Sequence, residues 1–483
     1  VLTILSHAFA LAPLQAFTLP MRVSTAVLAY TSYLRKMVWP VDLAVFYPHR
    51  TILTSDPFTS LFMPAIAAAV VLLFITVSLV VLAKYRRYLI VGWLWYLGTL
   101  VPVSGLFQVG DQAMADRFSY LPLIGIYLII AWAARDLALH IRPWRLYLGV
   151  TVPILLLTLT IVTWFQVGYW HNSRTLFEHA LTVTRGNYMA HQVLGNVFAR
   201  EERWNEAAAH LGQAIRIHPQ FAQARFNLAV LLEGQGKTDL AEAQYLRAIC
   251  IKPDFAEAHN NLGILLGQQG QMERAVAHLE SALRIEPGYA EAHNNLGYLF
   301  ERQGNLPRAA AHFSRALELH SGVAQFHVNL GLVYAKEGKL VEAVSQLERA
   351  MAIDPDDPET HYGLARIFGQ LNDLTNAAAH FERALQLKPD FPDAHYNLGV
   401  VSARQQVWSQ ALSHFHTTVR LDPNFAAAHH NIGLIMLQQG KPAEATNHFR
   451  EALRLDPSYE AARENLRRAT QLSEQDRKSS SND

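Results

Sequence analysis

The chain repeats a 34-residue pattern, which is clearest in AEAHNNLGILLGQQGQMERAVAHLESALRIEP (residues 256–287) and in AEAHNNLGYLFERQGNLPRAAAHFSRALELHS (residues 290–321). One residue closes each period, and it is proline in all but one case: Pro219, Pro253, Pro287, Ser321, Pro355, Pro389, Pro423 and Pro457. A fixed period of this length indicates an array of repeats, each of which packs against its neighbours.

Small residues recur at fixed offsets inside each period, as Gly263, Ala275 and Ala282 do. Two amphipathic helices pack closely where small side chains let their backbones approach, so each unit is predicted to be a helical hairpin. The turn inside each hairpin calls for a left-handed residue. Its occupants are Gly236, Gly270, Gly304, Gly338 and Gly440, with Asn372 as a suitable substitute and Glu202 and Gln406 as exceptions.

This order of Leu-Gly, Ala-x-x-x-(Phe/Leu/Tyr), Ala and Pro closely resembles the tetratricopeptide repeat. We expect eight repeats over residues 188–459. Residues 169–187 have the pattern of a second helix without its first, which places the repeats directly against whatever precedes them. A polar helix at 460–475 should cap the last apolar face. Residues 476–483 are expected to be a disordered tail.

Charged residues make up 17% of the whole chain, and its net charge is +1. These averages conceal a division, because the long apolar runs precede residue 168. Residues 61–83, 88–107, 118–134 and 146–168 each approach the ~20 apolar residues that cross a bilayer. Residues 21–38 are a fifth predicted span, with an amphipathic helix at the membrane surface as the alternative. The predicted fold is therefore all-α: a membrane domain (1–168) followed by an α-solenoid.

Two short loops carry clustered basic residues: Lys84, Arg86 and Arg87 in one, and Arg135, Arg142 and Arg145 in the other. Basic loops favour the cytoplasmic side, so the repeats are predicted to be extracytoplasmic. That compartment is the periplasm in a bacterium and the endoplasmic reticulum lumen in a eukaryote. No asparagine begins an Asn-x-Ser/Thr sequon, which favours a bacterial inner membrane.

Two loops and the exit from the last span carry a family resemblance. The stretches WPVDLAVFYP (39–48) and ADRFSYLPLIG (115–125), followed by Trp170-x-x-Ser-x-x-Leu-Phe, resemble the transmembrane and tetratricopeptide-repeat O-mannosyltransferases and their bacterial relatives. The resemblance implies a membrane domain of the glycosyltransferase-C type, a polyprenyl-phosphate-linked sugar as donor, and protein acceptors for O-mannosylation. No other cofactor is expected.

Such enzymes carry an essential acidic residue in their first extracytoplasmic loop. Val1 is not methionine and the apolar stretch 1–12 is too short to span, so we expect that the chain is N-terminally incomplete and lacks this loop. The catalytic residues are therefore unknown, and whether this chain is an enzyme stays open.

Cations at the outer headgroup level suit a lipid phosphate. The candidates are Arg117, Arg35 and Lys36, with Asp116 beside the first. The alternative for Asp116 and Arg117 is an ion pair or hydrogen-bonded turn that shapes the loop. Ordinary loop chemistry is the expectation for the other polar groups of these loops, Asp42, Tyr47, His49, Asp56 and Asp111.

Asparagine fills one position of six repeats: Asn227, Asn261, Asn295, Asn329, Asn397 and Asn431. Carboxamides at solenoid spacing can hold the backbone of an extended peptide, so this column predicts a groove for polypeptide. His259, His293 and His327 are expected to contact the peptide's side chains. Helix capping or hydrogen bonding between repeats is the alternative. The column also resembles the repeat groove of the O-linked N-acetylglucosamine transferases, whose catalytic domain this chain lacks.

Thirteen histidines follow two repeat positions: 191, 259, 293, 327, 361, 395 and 429, and 210, 278, 312, 380, 414 and 448. They reflect the repeat rather than a tetrahedral cluster, so no metal site is predicted. The repeats mix acidic and basic residues without a basic stripe, which argues against nucleic acid. Cys250 is the single cysteine, so an internal disulfide is excluded.

Two functions remain. The first is the C-terminal part of a polyprenyl-phosphate-dependent protein glycosyltransferase whose repeats bind protein acceptors. The second is a non-catalytic membrane-anchored scaffold that binds protein partners through its repeats.

Overall fold

A computed structural model describes residues 18–38, 43–44, 46–48, 58–103, 112–114, 120–140 and 144–479. The protein is all-α, with candidate membrane helices first and stacked helical hairpins after them, as the sequence predicts. A short antiparallel pairing joins strand β1 (Tyr47–Pro48) to strand β2 (Gln112–Met114). The chain forms two compact units, Val1–Ala258 and His259–Asp483.

The N-terminal helices are α1 (Leu19–Val38), α2 (Met63–Ala83), α3 (Arg87–Leu100), α4 (Tyr120–His140) and α5 (Trp144–Tyr169). Within the described ranges, three helical stretches are long and apolar enough to cross a membrane: Phe58–Ala83, Tyr120–Leu139 and Gly149–Tyr169. They coincide with the predicted spans at 61–83, 118–134 and 146–168.

The other two spans stay predictions. Helix α1 covers the predicted span at 21–38, but it carries Arg22, Arg35 and Lys36. Helix α3 has 14 residues and is followed by the 3-10 turn Val101–Val103, and residues 104–107 lie outside the described part.

The basic turn before α3 contacts the last part of α4. The Nε atom of Arg86 lies 3.0 Å from Oδ2 of Asp136 near the end of α4, and the hydroxyl of Tyr88 donates to the same oxygen at 3.0 Å. The turn before α3 and the end of α4 are therefore at the same end of the helix bundle. Which side of the membrane they face stays a prediction.

The repeats are eight helical hairpins, and small residues explain their close packing. A Cβ atom added to Gly263 would lie 2.7 Å from the Leu279 side chain, and one added to Gly297 would lie 2.9 Å from the Phe313 ring. The helix pairs are α7 (Tyr188–Arg200) with α8 (Trp204–Ile217), α9 (Ala222–Gly234) with α10 (Thr238–Ile251), α11 (Ala256–Gln268) with α12 (Met272–Ile285), α13 (Ala290–Arg302) with α14 (Leu306–Leu319), α15 (Ala324–Lys336) with α16 (Leu340–Ile353), α17 (Pro358–Gln370) with α18 (Leu374–Leu387), α19 (Pro392–Arg404) with α20 (Trp408–Leu421), and α21 (Ala426–Gln438) with α22 (Pro442–Leu455).

Every residue predicted to be left-handed at a hairpin turn has a positive φ. The five glycines lie between +71° and +80°, and Asn372 lies at +63°. Glu202 (+59°) and Gln406 (+65°) adopt the same conformation, although neither is glycine or asparagine. The turn geometry is thus imposed by the hairpin even where the residue type does not favour it.

Helix α6 (Ser173–Val183) follows α5 after three residues and packs on the first hairpin through Phe177 and Leu181. Asn172 caps it by accepting a hydrogen bond from the Thr175 amide at 2.9 Å. The repeats therefore adjoin α5 without a long linker, as the half-repeat pattern predicts.

Helix α23 (Glu460–Ser479) packs Leu466 and the fully buried Ala469 against the cluster around Phe449. It extends beyond the predicted end at 475, because the last residues favour a helix by their high content of Glu, Gln, Lys and Arg. The tail predicted at 476–483 therefore begins too early, since residues 476–479 are helical and 480–483 are outside the described part.

Candidate peptide-binding face and membrane-proximal site

The asparagine column lies on the first helices of the hairpins, and all six side chains are half-buried. Most bond to the neighbouring repeat. Asn295 Nδ2 donates to Asn260 Oδ1 at 2.9 Å, and Asn329 Nδ2 donates to Asn294 Oδ1 at 2.8 Å. In both cases the acceptor is the residue before the asparagine position of the preceding repeat.

Tyrosine replaces asparagine as the acceptor further along the chain. Asn397 donates to the Tyr362 hydroxyl and Asn431 to the Tyr396 hydroxyl, each at 3.2 Å. The capping helix continues the series, since Asn465 Nδ2 lies 3.1 Å from Nε2 of His430. In the other compact unit, Asn227 Nδ2 reaches a different position of the preceding repeat and donates to Asn196 Oδ1 at 3.0 Å.

One gap in the series is informative. Gly363 occupies the asparagine position of the sixth repeat, and the corresponding acceptor position of the fifth repeat is the apolar Val328. Donor and acceptor are thus missing together, so no buried polar group is left without its partner at this step. This coincidence supports hydrogen bonding between repeats as one role of the column.

A second column of side chains accompanies the asparagines three positions later, which places both on one helix face. Sequence reasoning missed it, although the i, i+3 spacing was visible. It is mostly apolar and includes Tyr298, which is 51% exposed. In the unit from 259 onwards its members are Ile264, Tyr298, Leu332, Arg366, Val400 and Leu434. We call these residues, with the asparagines beside them, the asparagine face.

The two histidine columns meet inside the hairpins, which the sequence reasoning also missed. In six of the eight repeats, a first-helix histidine and a second-helix histidine bring their Nδ1 atoms together at 3.1 to 3.4 Å, and we call these the histidine pairs: His191–His210, His259–His278, His293–His312, His361–His380, His395–His414 and His429–His448. The constant spacing of 19 residues was the available signal.

The remaining two hairpins use glutamine at the second position. His327 Nδ1 lies 2.8 Å from Gln346 Oε1, and Arg225 donates to Gln244 Oε1 at 3.3 Å. His259, His293 and His327 therefore bond within their hairpins. Their predicted contact with a peptide stays a prediction.

Burial lowers the pKa of several paired histidines, because it disfavours the charged imidazolium. Burial, with a smaller contribution from the partner histidine, lowers the pKa of His191 and that of His312 to about 4. Burial also lowers the pKa of His210, His293, His380, His395, His414, His429 and His448.

The two described cations of the lipid-phosphate prediction lie at the end of α1. Arg35 is exposed, whereas Lys36 is only 8% exposed. Lys36 Nζ donates to the Tyr47 hydroxyl and lies 3.8 Å from the centre of its ring. Arg117 and Asp116 lie outside the described residues, as do Asp42, His49, Asp56 and Asp111.

The segment after α1 contacts the start of the repeats. Phe46 packs edge-on against Tyr188 with ring centres 5.7 Å apart, and Asn187 Nδ2 donates to the Phe46 carbonyl at 3.1 Å. Ala44 is buried with Ala180 and Ala190. Ala44, Phe46 and Tyr47, which we call the docking segment, thus join the membrane part to the first repeat.

Metal ligands do not converge in the parts of the chain that the structure describes, where no group of three or more His, Cys, Asp or Glu could hold an ion. Cys250 is exposed.

Models of the tetratricopeptide repeat match residues 193–256, 260–324, 294–358 and 426–459, and a TPR repeat model matches 365–406. The protein therefore contains tetratricopeptide repeats.

Its repeat region is distantly similar to protein O-mannosyl-transferases. It is 25% identical over 154 residues to Tmtc3 of Drosophila melanogaster, a match that covers 32% of this chain and 17% of that protein. For human TMTC1 the identity is 27% over 172 residues, with 35% and 19% covered. For mouse TMTC1 it is 24% over 230 residues, with 46% and 24% covered. The chain thus matches less than a quarter of each relative's length.

Two solved structures align with part of the chain. Cut9–Hcn1, the APC/C hetero-tetramer, aligns with a TM-score of 0.44 and 19% identity over 62% of this chain and 60% of that one. YrrB, described as a TPR protein with an unusual peptide-binding site, aligns with a TM-score of 0.34 and 24% identity over 38% of this chain and 95% of that one.

Proposed function

We propose that this protein is a membrane-anchored polypeptide-binding protein, and that it forms the acceptor-binding part of a polyprenyl-phosphate-dependent protein O-glycosyltransferase. The observation that carries the binding proposal is the asparagine face, where half-buried amides lie beside exposed apolar side chains. Amides can bond to a peptide backbone whatever its sequence, while the apolar column favours peptides with apolar side chains. The distant O-mannosyl-transferase similarity of the repeats supports the transferase context.

The bonds between repeats are compatible with this role. A carboxamide offers two donors and an acceptor oxygen with two lone pairs, and the bond to the preceding repeat uses one donor. In Asn227, Asn295, Asn329, Asn397 and Asn431, that bond also fixes the orientation of the amide before a peptide arrives. A pre-oriented amide loses less conformational entropy on binding.

The test measures the affinity of the full chain in detergent for labelled unstructured peptides. Replacing Asn261, Asn295 and Asn329 together by Ala should weaken binding about a hundredfold, because each amide bond contributes on the order of 1 kcal/mol net. Since Asn295 and Asn329 also join neighbouring repeats, the thermal stability of the variant is measured in parallel.

A second variant separates binding from stability. Tyr298→Ala with Leu434→Ala removes exposed side chains of the asparagine face and leaves every asparagine in place, so we expect about tenfold weaker binding with unchanged stability. The matched control is Val341→Ala, which truncates a side chain that is 75% exposed on a second helix. Normal binding by the double variant would refute the peptide-binding proposal.

We also propose that the outer end of the membrane part binds the lipid phosphate through Arg117, Arg35 and Lys36, with Asp116 adjacent to Arg117 in the sequence. The exposure of Arg35 at the end of α1 supports a cationic group at that surface. Arg117→Ala and Arg35→Ala should each reduce photo-crosslinking to a polyprenyl-phosphate probe, since a charge-assisted hydrogen bond is worth ~1.5 to 3 kcal/mol. Unchanged crosslinking in both would leave the scaffold function as the better explanation.

A further inference from the structure

The contacts of two histidine pairs define the arrangement of their protons. In the sixth and seventh repeats, Nε2 of the first-helix histidine lies 3.1 Å from the Pro355 carbonyl or 3.2 Å from the Pro389 carbonyl. A carbonyl only accepts, so this nitrogen carries a hydrogen in the neutral ring and Nδ1 is the acceptor. The second-helix histidine must then donate from its own Nδ1.

This arrangement tolerates one added proton and not two. A proton on Nε2 of the second-helix ring leaves its Nδ1 hydrogen in place, so the contact persists. A second proton must go to Nδ1 of the first-helix ring. There it points at the hydrogen on Nδ1 of the second-helix ring, and the two nitrogens are 3.1 Å apart. Two donors and two positive charges then oppose each other, so the contact between the two helices becomes unfavourable.

We propose that the histidine pairs are an acid-sensitive lock, which holds the two helices of a hairpin together at neutral pH and releases them when both imidazoles are protonated. The lock is repeated in six of the eight hairpins. It is independent of the peptide-binding and transferase proposals, because it concerns contacts inside the hairpins.

The surroundings of the pairs include both signs of charge. Several histidine pairs have both neighbours that raise the histidine pKa and neighbours that lower it. No single neighbour therefore determines how these pairs titrate. The neighbours are Glu178, Glu206 and Arg216 at the first pair, Arg308 and Arg315 at His293–His312, Asp390 and Arg420 at His395–His414, and Glu444, Glu451, Arg454 and His416 at the last pair. At the His361–His380 pair, the ring of Phe368 stacks on His380 with ring centres 5.6 Å apart. His361 is the titratable neighbour of His380 there.

The direction of the pH effect follows from the lowered pKa values. An unfolded histidine titrates near 6.5, whereas folding lowers the pKa of His312 to about 4. Between these values the unfolded chain binds more protons, so stability falls as the pH decreases through this range. Folding lowers the pKa of Glu206 and that of Glu451 from 4.5, so both stay charged in the folded chain at about pH 5 and contribute little to the loss.

The chain contains its own control in the His327–Gln346 pair. The glutamine amide can turn either its oxygen or its nitrogen toward His327, so this pair accepts a proton without two donors meeting. Converting His312, His380 and His414 to Gln should therefore keep a hydrogen bond in each hairpin and remove half of the locks. His320→Gln makes the same change at an exposed residue that follows α14.

The experiment follows thermal unfolding of the full chain in detergent by circular dichroism at about pH 7.5 and about pH 5. The unaltered chain and His320→Gln should lose roughly 5 °C or more of melting temperature on acidification. The triple Gln variant should lose about half as much. An equal loss in the triple variant would overturn the proposal, as would no loss in the unaltered chain.

A gain-of-lock variant keeps the proposal testable even if the triple variant folds poorly. Gln346→His creates a seventh histidine pair with His327, so its melting temperature should fall further at pH 5 than that of the unaltered chain. A smaller or equal fall would contradict the lock.

Discussion

Glu202 and Gln406 hold a left-handed backbone at hairpin turns that glycine occupies in five other repeats. This conformation costs a residue with a Cβ atom roughly 1 kcal/mol or more, because the Cβ approaches the following carbonyl oxygen. Both side chains are exposed, so their replacement disturbs no core contact.

Gln406→Gly should therefore raise the free energy of unfolding by up to about 1 kcal/mol. The greater conformational entropy of glycine in the unfolded chain offsets part of this gain. The measurement is urea unfolding of the full chain in detergent. Gly304→Ala, at a φ of +77°, is the matched converse and should destabilise by a similar amount. A destabilising Gln406→Gly would mean that its side chain makes a stabilising contact at this turn.

The turn residues were predictable from sequence, because a single steric rule ties a turn to glycine. The partners of Asn295 and His293 were not, since hydrogen bonding depends on which helix lies opposite. The sequence left two roles open for the asparagines, and the structure adds the bonds to neighbouring repeats. For the histidines, the structure identifies partners 19 residues away on the second helix of the same hairpin.

At the scale of elements, the docking segment takes the place of a missing helix. In later hairpins the first residue of the first helix completes an alanine cluster, as Ala222 does with Ala248 and Ala258. The half-repeat α6 has no first helix, and Ala44 fills this position beside Ala180 and Ala190. The sequence predicted the half-repeat, but not that residues between α1 and α2 would complete it.

Phe46→Ala should expose this end of the repeats, because removing a buried aromatic ring costs about 3 to 5 kcal/mol when the cavity cannot collapse. Hydrogen exchange in the full chain should increase in α7 and remain unchanged in α17, which belongs to the other compact unit.

Phe58→Ala is the matched control for this substitution, since Phe58 is 59% exposed and is expected to leave exchange in α7 unchanged. Equal protection of α7 in the Phe46 variant would mean that the docking segment contributes little to the first repeat.

At the scale of the whole molecule, the basic turn before α3 predicts that the repeats are on the opposite side of the membrane. Single cysteines introduced in place of Gln303 and of Lys84, in a Cys250→Ala background, should differ in labelling by an impermeant maleimide. The Gln303→Cys variant, altered in the repeats, should react in intact cells, and the Lys84→Cys variant only after permeabilisation.

Both sites are exposed, so a lack of labelling would reflect the membrane and not burial. Lys84 is preferred to Arg86, whose contact with Asp136 should be left intact. Labelling of both variants in intact cells would refute the predicted topology.

The periodic half of the molecule was far easier to predict than the membrane half. Each repeat has the same pattern of small and apolar residues. A helix boundary that is ambiguous in one repeat is therefore clear from the other seven. The spans have no such redundancy, and α1 combines apolar length with Arg22 and Lys36, so that hydropathy alone does not settle its place.

The bonds between repeats also bear on how such a chain can grow or shrink by duplication. From the third repeat onwards, a unit that presents an acceptor to the next unit and a donor to the previous one fits beside any copy of itself, so whole units can be gained or lost without orphaning a polar group. The fifth and sixth repeats break this rule, because Val328 offers no acceptor and Gly363 no donor. These two repeats can therefore be duplicated or deleted only together. We expect their order along the chain to be preserved.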